Sequence, residues 1–212
     1  MIHQAGVRRG TLVDLGCGSG LWAKAAGRAG LTVIGVDQSG AMIRLAKRVA
    51  PAAKFIRVSL YDFELPPCDA VTAIGEGLDY LEPGVSRLPS LKRLLARIAR
   101  ALRPGGLFIF DVLLNEGRVL DGRNWRAGGD WAVLTEVKEN REAKLLIRRI
   151  VTFRKIGSNW RRGEETHRLR LFERRKVERA LRDAGFTVRT AQRYGDAALL
   201  PRRRIFIARK TG

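Results

Sequence analysis

Short apolar runs and helical segments alternate along the first half of the chain. The runs are rich in Val, Ile, Leu and Phe, as expected for strands buried on both faces. These predicted strands are Gly10–Leu15, Thr32–Val36, Lys54–Val58, Asp69–Ile74 and Leu107–Val112. Between them, the residue pattern favours helices, and glycine or proline ends the first two. The predicted helices are Leu21–Ala29, Gly40–Ala50 and Leu88–Leu102.

After Asn115 the pattern changes to β-branched and aromatic residues separated by polar turns. The predicted strands there are Trp131–Val137, Leu145–Ile156 and Trp160–Phe172. A helix and two strands follow, at Glu173–Asp183, Phe186–Ala191 and Arg204–Ala208. This order predicts an α/β fold with a Rossmann-like doubly wound sheet, mostly parallel with a C-terminal antiparallel strand. We expect a single domain over residues 1–212, in which residues 115–172 form a small antiparallel β insertion.

Polar and glycine residues stand at the carboxyl ends of the predicted parallel strands, or just beyond them. They are Asp14, Asp37, Asp62 and Gly75. Ligands of such sheets bind beyond the carboxyl ends of the strands. These four residues are therefore expected to converge on one ligand-binding edge.

A glycine-rich loop follows the first predicted strand, with the sequence Asp14-Leu-Gly16-Cys-Gly18-Ser-Gly20. Glycine permits positive φ and lets a ligand approach the backbone closely. The spacing differs from the G-x-G-x-x-G pattern of dinucleotide sites, where the helix N-terminus holds a pyrophosphate. A carboxylate at Asp14 would repel a pyrophosphate and attract a cation. The ammonium and sulfonium of S-adenosylmethionine (SAM) therefore fit the loop better than a dinucleotide does.

A second carboxylate, Asp37, ends the second predicted strand 17 residues after Gly20. At that place a carboxylate can accept hydrogen bonds from both hydroxyls of a ribose. The alternative is an aspartate that only caps a turn.

Together these features resemble the class I SAM-dependent methyltransferases, in particular the methyltransferase-domain 11/25 type, over Gly10–Val112. The resemblance implies SAM as cofactor and S-adenosylhomocysteine as product. It implies that Asp14 and the loop residues hold the methionine part of SAM, and that Gly75 contacts it through the strand-end backbone. The loop residues are Gly16, Cys17, Gly18 and Gly20.

The same resemblance implies an adenosine side of the site. Asp37 would hold the ribose, with Gln38 and Met42 nearby. In the segment Tyr61-Asp62-Phe63, the acid would pair with the adenine amino group and an apolar or aromatic neighbour would pack on the ring.

Methyl transfer from a sulfonium is an in-line displacement, so the protein mainly supplies proximity and electrostatic fit. A general base is needed only when the nucleophile arrives protonated. The candidate catalytic residues are Glu76, Tyr80 and His167, with Asp79 and Asp111 as further carboxylates. Tryptophans of the insertion could wall an aromatic pocket or simply pack in the sheet. They are Trp125, Trp131 and Trp160.

The chain departs from the family's usual pattern at its start. The family has one or two helices before the first strand, whereas the first strand is predicted here at about residue 11. We expect the missing cover to come from the β insertion, lying over the acceptor site, or from a second protomer in a homodimer.

The formal net charge is +20 and is unevenly spread. Residues 1–111 carry 15 Lys and Arg against 9 Asp and Glu, and residues 112–212 carry 26 against 12. Such an excess indicates a nucleic acid or other anionic partner, or else a dispersed solvated surface. No block of five or more like charges appears, which favours the dispersed surface.

Two distant cysteines predict neither a zinc site nor disulfides, and no metal is expected. With no secretory signal and no apolar run near the roughly 20 residues of a membrane span, we expect a cytoplasmic protein without membrane contact.

Three functions stay open at this point. The first is methyl transfer to a small molecule. The second is RNA or protein methylation using the basic second half, although Ile74-Gly75-Glu76-Gly77 replaces the Asn-Pro-Pro-Tyr-like motif common in amino-methylating nucleic-acid enzymes. The third is a non-catalytic SAM-binding module.

Overall fold

The computed structural model describes residues 6–81 and 90–212. Within them, the chain divides into two compact units. The first comprises residues 6–78, 90–112 and 174–212, and the second comprises residues 79–81 and 113–173.

Helices are interspersed among the strands in the first half of the chain. In chain order they are β1 (Gly10–Leu15), α1 (Leu21–Arg28), β2 (Leu31–Asp37), α2 (Gly40–Val49), β3 (Lys54–Arg57), β4 (Cys68–Ala73), β5 (Tyr80–Leu81), α3 (Leu91–Ala101) and β6 (Leu102–Leu113). Strands then dominate, interrupted by one helix. They are β7 (Gly122–Ala127), β8 (Trp131–Asn140), β9 (Leu145–Ile156), β10 (Asn159–Arg170), α4 (Arg174–Asp183), β11 (Phe186–Ala191), β12 (Arg193–Tyr194), β13 (Ala197–Ala198) and β14 (Arg203–Lys210).

The first unit is built on a seven-stranded sheet of order β11-β14-β6-β4-β1-β2-β3. β1 pairs in parallel with β2 and β4, β2 with β3, and β4 with β6, whereas β11 and β14 are antiparallel. The predicted Rossmann-like fold, mostly parallel with a C-terminal antiparallel strand, is confirmed. Because β1 and β4 are central in this order, their carboxyl ends adjoin the point where the strand order reverses, which is where such sheets bind ligands.

Burial explains why the central strands read as nearly continuous apolar runs. Positions 12–15 of β1 and 107–113 of β6 are all buried, as expected for strands covered on both faces. Phe110 stacks between Phe108 and Phe206, with ring centroids 4.5 and 5.1 Å apart. These rings pack β6 against its neighbour β14 in the sheet.

The start of β6 differs from the prediction. The strand is predicted to begin at Leu107, but β6 begins at Leu102, which leaves the helix in an extended conformation and pairs with Cys68. The next pair joins Ala70 to Leu107, so a bulge on β6 absorbs the extra residues. Helix α3 begins at Leu91, after Ser90 accepts a hydrogen bond from the Arg93 amide; the predicted start at Leu88 lies outside the described residues.

The second unit contains a five-stranded antiparallel sheet of order β5-β10-β9-β8-β7. The antiparallel insertion expected from the sequence is therefore present, and β9 and β10 pair over twelve residues. Its small core consists of Leu113, Leu146, Leu169 and Leu171. The sequence missed β7 because all six of its residues are exposed, so no alternation of apolar and polar positions marks it.

No helix in residues 6–81 or 90–212 is long and apolar enough to cross a bilayer.

Candidate cofactor-binding site

The loop after β1 has a backbone conformation that depends on its glycines. Gly16, Gly18 and Gly20 have φ values of 73°, 52° and 79°, in the region that favours glycine. The amides of Gly16 and Cys17 donate to the Val36 carbonyl at 2.7 and 2.9 Å, which ties the loop to the end of β2. A Cβ on Gly18 would meet nothing within 4 Å. The loop therefore presents open backbone at its centre.

Asp37 joins the glycine loop to helix α2. Its Oδ2 accepts from the Gly18 amide at 2.9 Å, and its Oδ1 accepts from the Ser39 amide at 2.8 Å. Ser39 in turn caps α2 by accepting from the Met42 amide. Each carboxylate oxygen has a second lone pair, so the half-buried carboxylate can still accept from a ligand. This arrangement fits a ribose diol.

Asp14 lies beneath the loop at 2% exposure. Its Oδ1 accepts from the Thr72 hydroxyl at 2.7 Å, and that hydroxyl accepts from the Trp22 indole at 3.1 Å. Burial raises the pKa of Asp14 to about 7; the Thr72 hydrogen bond opposes the rise and the charge of Asp37 adds to it. A buried acid with a raised pKa gains most from a nearby cation. The ammonium of SAM therefore fits the chemistry of Asp14.

Cys17 is a buried thiol within the loop. Burial, with the charges of Asp14 and Asp37, raises its pKa to about 12. The thiol is therefore protonated at neutral pH and is not a nucleophile there.

The segment expected on the adenine side forms a turn after β3. The amides of Asp62 and Phe63 both donate to the Ser59 carbonyl, at 3.0 and 3.1 Å. The Tyr61 hydroxyl donates to the Leu78 carbonyl at 3.1 Å, so this turn is held to the chain that follows β4. Asp62 is exposed, so its carboxylate is accessible to a ligand.

Gln38 and Met42 flank the carboxyl end of β2. Gln38 is exposed and its carbonyl accepts from Arg57 at 3.2 Å, while Met42 opens α2 with 41% exposure. The cofactor-binding roles of Gly18, Asp37, Gln38 and Met42 all stay predictions.

The loop after β4 carries Gly75 and Glu76, both with positive φ, at 83° and 63°. Asp111 is fully buried and accepts from both amides, at 2.7 Å from Gly75 and 3.1 Å from Glu76. The Tyr194 hydroxyl donates to the same Asp111 carboxylate at 2.8 Å, and burial together with Asp111 raises the pKa of Tyr194. Arg203 pairs with Glu76 at 2.8 Å.

Sequence reasoning missed Tyr194 and Arg203 and treated Asp111 only as a candidate base. The available signal was Asp111 itself, the one acid in the otherwise apolar predicted strand Leu107–Val112. A buried acid of this kind has to be hydrogen-bonded.

The other two candidate catalytic residues lie in the second unit. The rings of Tyr80 and His167 meet edge to face, with centroids 5.2 Å apart. His167 Nε2 lies 3.1 Å from Glu165 Oε2, and no described residue offers its buried Nδ1 a hydrogen bond. Asp79 is fully buried and accepts from the Leu113 amide at 2.8 Å, so its side chain ties the residue before β5 to the end of β6.

The three tryptophans do not form one aromatic wall. Trp125, Trp131 and Trp160 are 72%, 41% and 50% exposed. Trp125 pairs with Leu134 across the sheet, and Leu134 lies three residues from Trp131, so Trp125 and Trp131 are on opposite faces.

The model of a methyltransferase-domain family matches residues 2–191. The chain belongs to this methyltransferase-domain family, which confirms the class expected from the glycine loop and Asp37.

Two relatives have names that state an activity. A ubiquinone biosynthesis O-methyltransferase of Alkalilimnicola ehrlichii is 35% identical over 109 residues, covering 48% of this chain and 41% of that enzyme. A dTDP-3-amino-3,6-dideoxy-alpha-D-glucopyranose N,N-dimethyltransferase of Streptomyces fradiae is 27% identical over 198 residues, covering 89% and 74%. The chain spans about two fifths of the length of the ubiquinone enzymes that it matches first.

Solved structures share the fold. A SAM-dependent methyltransferase from Clostridium acetobutylicum has a TM-score of 0.84 at 16% identity, covering 100% of this chain and 88% of that one. SAM-bound CalS10, an amino pentose methyltransferase from Micromonospora echinaspora, has a TM-score of 0.79 at 20% identity, covering 99% and 87%.

Proposed function

We propose that this protein transfers a methyl group from SAM to a small-molecule acceptor. The observation that carries the proposal is the bond from the Gly18 amide to Asp37 at 2.9 Å, above a buried Asp14 with a raised pKa. This arrangement combines open backbone, an acceptor for a ribose and a carboxylate that gains from a cation. Of the two relatives named above, one is an O-methyltransferase of ubiquinone biosynthesis and the other is an N,N-dimethyltransferase of an amino sugar nucleotide, which supports a small acceptor.

Each part of the site would bind a different part of SAM. SAM supplies an activated methyl group on its sulfonium. Backbone of the glycine loop and of Gly75 would lie along the methionine part, and Asp37 would orient the ribose. The Tyr61–Phe63 turn would meet the adenine. Holding the cofactor in one orientation supplies the proximity on which an in-line displacement depends.

A base is required when the acceptor arrives as an ammonium or a hydroxyl, and His167 is our first candidate. Its contact with Glu165 orients the ring, which is the usual arrangement of a base and its orienting acid. We propose that the second unit carries the acceptor contacts and that Tyr80 contributes to them. His167→Asn should lower the rate by roughly 10²-fold or more while leaving cofactor affinity unchanged. No loss of rate in His167→Asn, or a matching loss of cofactor affinity in that variant, would exclude this role.

An RNA acceptor is the second candidate, and the net charge of +20 favours it. Against it, ion pairs already engage cations of the five-stranded sheet, such as Arg123 with Glu136 and Arg149 with Glu164.

A cytoplasmic location and a homodimer are further proposals. The exposed edge strand β7 supports the homodimer. Salt-dependent RNA retention would favour the RNA acceptor, and a monomeric mass by light scattering would exclude the dimer.

The experiment is a calorimetric titration of SAM and S-adenosylhomocysteine into the wild type, Asp37→Ala and Asp183→Ala. Asp183 is an exposed aspartate at the end of α4 and serves as the matched control. We expect binding in the wild type and the control, and its loss in Asp37→Ala. Absence of binding to the wild type would refute the proposed function. Labelled-methyl transfer to amino sugar nucleotides, phenols and RNA would then distinguish the acceptors.

A further inference from the structure

The loop Gly75–Gly77, called here the β4 loop, contains a residue in an unfavourable conformation. Glu76 has φ of 63°, where side chains other than glycine and asparagine are rarely found. Its carboxylate side chain is also only 3% exposed. A strained, buried, charged residue persists only when its surroundings hold it there. The contacts that hold Glu76 in this conformation are therefore candidates for a functional role.

The first restraint is Asp111 at the carboxyl end of β6. Its two oxygens accept from the consecutive amides of Gly75 and Glu76, at 2.7 and 3.1 Å. Hydrogen bonds to a carboxylate are stronger than neutral ones. This pair of bonds fixes the direction in which the backbone leaves β4, and it orients the amides of the residues expected beside the cofactor.

The second restraint comes from the C-terminal part of the same unit. Tyr194 in β12 donates its hydroxyl to Asp111 at 2.8 Å, and Arg203 at the start of β14 pairs with Glu76 at 2.8 Å. These residues are 83 and 127 positions away from their partners. Tyr194 thus acts on the β4 loop through the acid that holds its backbone, and Arg203 acts through its side chain.

We propose that Tyr194 and Arg203 are positioning residues of the cofactor site, holding the β4 loop in its left-handed conformation through Asp111 and Glu76. The inference rests on the proposed function and extends it to the C-terminal strands. It also gives Glu76 a role different from that of a general base: its carboxylate secures the loop through Arg203. Neither Tyr194 nor Arg203 has to touch SAM for this role.

The test uses the full chain and three variants. Tyr194→Phe removes one hydroxyl and keeps the ring, and Arg203→Lys keeps the charge but loses the guanidinium geometry. The matched control is Thr211→Val, which removes a hydroxyl bond of 2.7 Å to the Gly185 carbonyl in the same unit. Two quantities are measured: the affinity for S-adenosylhomocysteine, and the hydrogen-exchange rates of the Gly75 and Glu76 amides without ligand.

We expect Tyr194→Phe and Arg203→Lys to weaken S-adenosylhomocysteine binding about tenfold, the factor expected when one charge-assisted bond is lost. The Gly75 and Glu76 amides should exchange faster in both variants, whereas Thr211→Val should match the wild type. Added ligand should restore part of the protection, because binding favours the ordered loop.

Unchanged affinity and exchange in Tyr194→Phe would overturn the proposal. So would equal losses in Thr211→Val, since these would reveal general destabilisation. If the wild type does not bind S-adenosylhomocysteine, the proposed function fails, whether or not Tyr194 and Arg203 hold the β4 loop. The exchange rates without ligand would separate the two failures, because they report whether Tyr194 and Arg203 hold the loop at all.

Discussion

The buried carboxylate of Asp14 makes a sharp prediction about the pH dependence of stability. Replacing Asp14 with Asn keeps the shape and the acceptor for the Thr72 hydroxyl but removes the titration. In the folded protein the pKa of Asp14 is raised from 3.8 to about 7, mainly by burial. A folded pKa above the unfolded one stabilises the protein at low pH. That contribution is complete below about pH 4 and is lost as the pH rises through 7.

The magnitude follows from the shift. A shift of about three units corresponds to about 4 kcal/mol, at about 1.4 kcal/mol per unit. Between about pH 5 and about pH 8 this one group should change the free energy of unfolding by roughly 2–3 kcal/mol, with the lower pH more stable. The Asn variant should lose this difference. An Asp183→Asn control changes an exposed aspartate and should retain it.

The assay is urea unfolding of the three proteins without cofactor at the two pH values, compared by the free energy of unfolding. The reasoning is refuted if the wild type and Asp14→Asn show the same pH dependence. Cofactor binding supplies an independent check. A cation beside Asp14 would favour its ionised form, so SAM affinity should increase from about pH 6 to about pH 8 in the wild type and stay level in the variant.

Further predictions concern the glycine loop, its support by Thr72, and Gly105 as a comparison. Gly20→Ala should destabilise the fold by about 2 kcal/mol or more in urea unfolding, because φ is 79° and a Cβ would lie 3.0 Å from backbone of α2. Gly105→Ala, with φ of 76° and open space, should cost only about 1 kcal/mol, and equal costs would contradict the close-packing argument. With its pKa at about 12, the Cys17 thiol should resist alkylation near pH 8 until the protein unfolds; rapid labelling of the folded protein would refute its burial. Thr72→Val removes the bond that lowers the pKa of Asp14, so an NMR titration should place that pKa higher still, and an unchanged value would show the bond to be unimportant.

Much of the cofactor side could be predicted because its signals are local. Gly16, Gly18 and Gly20 lie in one short loop, and their spacing alone indicates a backbone with positive φ. Asp37 was found because a buried parallel strand ends there. The contact between Asp37 and the Gly18 amide follows from β1 and β2 being neighbours in the sheet.

The second unit was less predictable. Its long strands β8 to β10 have enough β-branched and aromatic residues to be recognised, but β7 is exposed on every residue and has no period to detect. Of the two alternatives for the tryptophans, a single aromatic wall is excluded because Trp125 in β7 and Trp131 in β8 lie on opposite faces of the sheet.

The sequence by itself determined the fold class, the family and the candidate cofactor loop, because strand periodicity and glycine spacing are properties of neighbouring residues. Only the tertiary structure decided which distant side chains restrain that site. Tyr194 and Arg203 reach Asp111 and Glu76 across 83 and 127 positions. No local pattern encodes such pairings, because they depend on where β14 is placed beside β6 in the sheet.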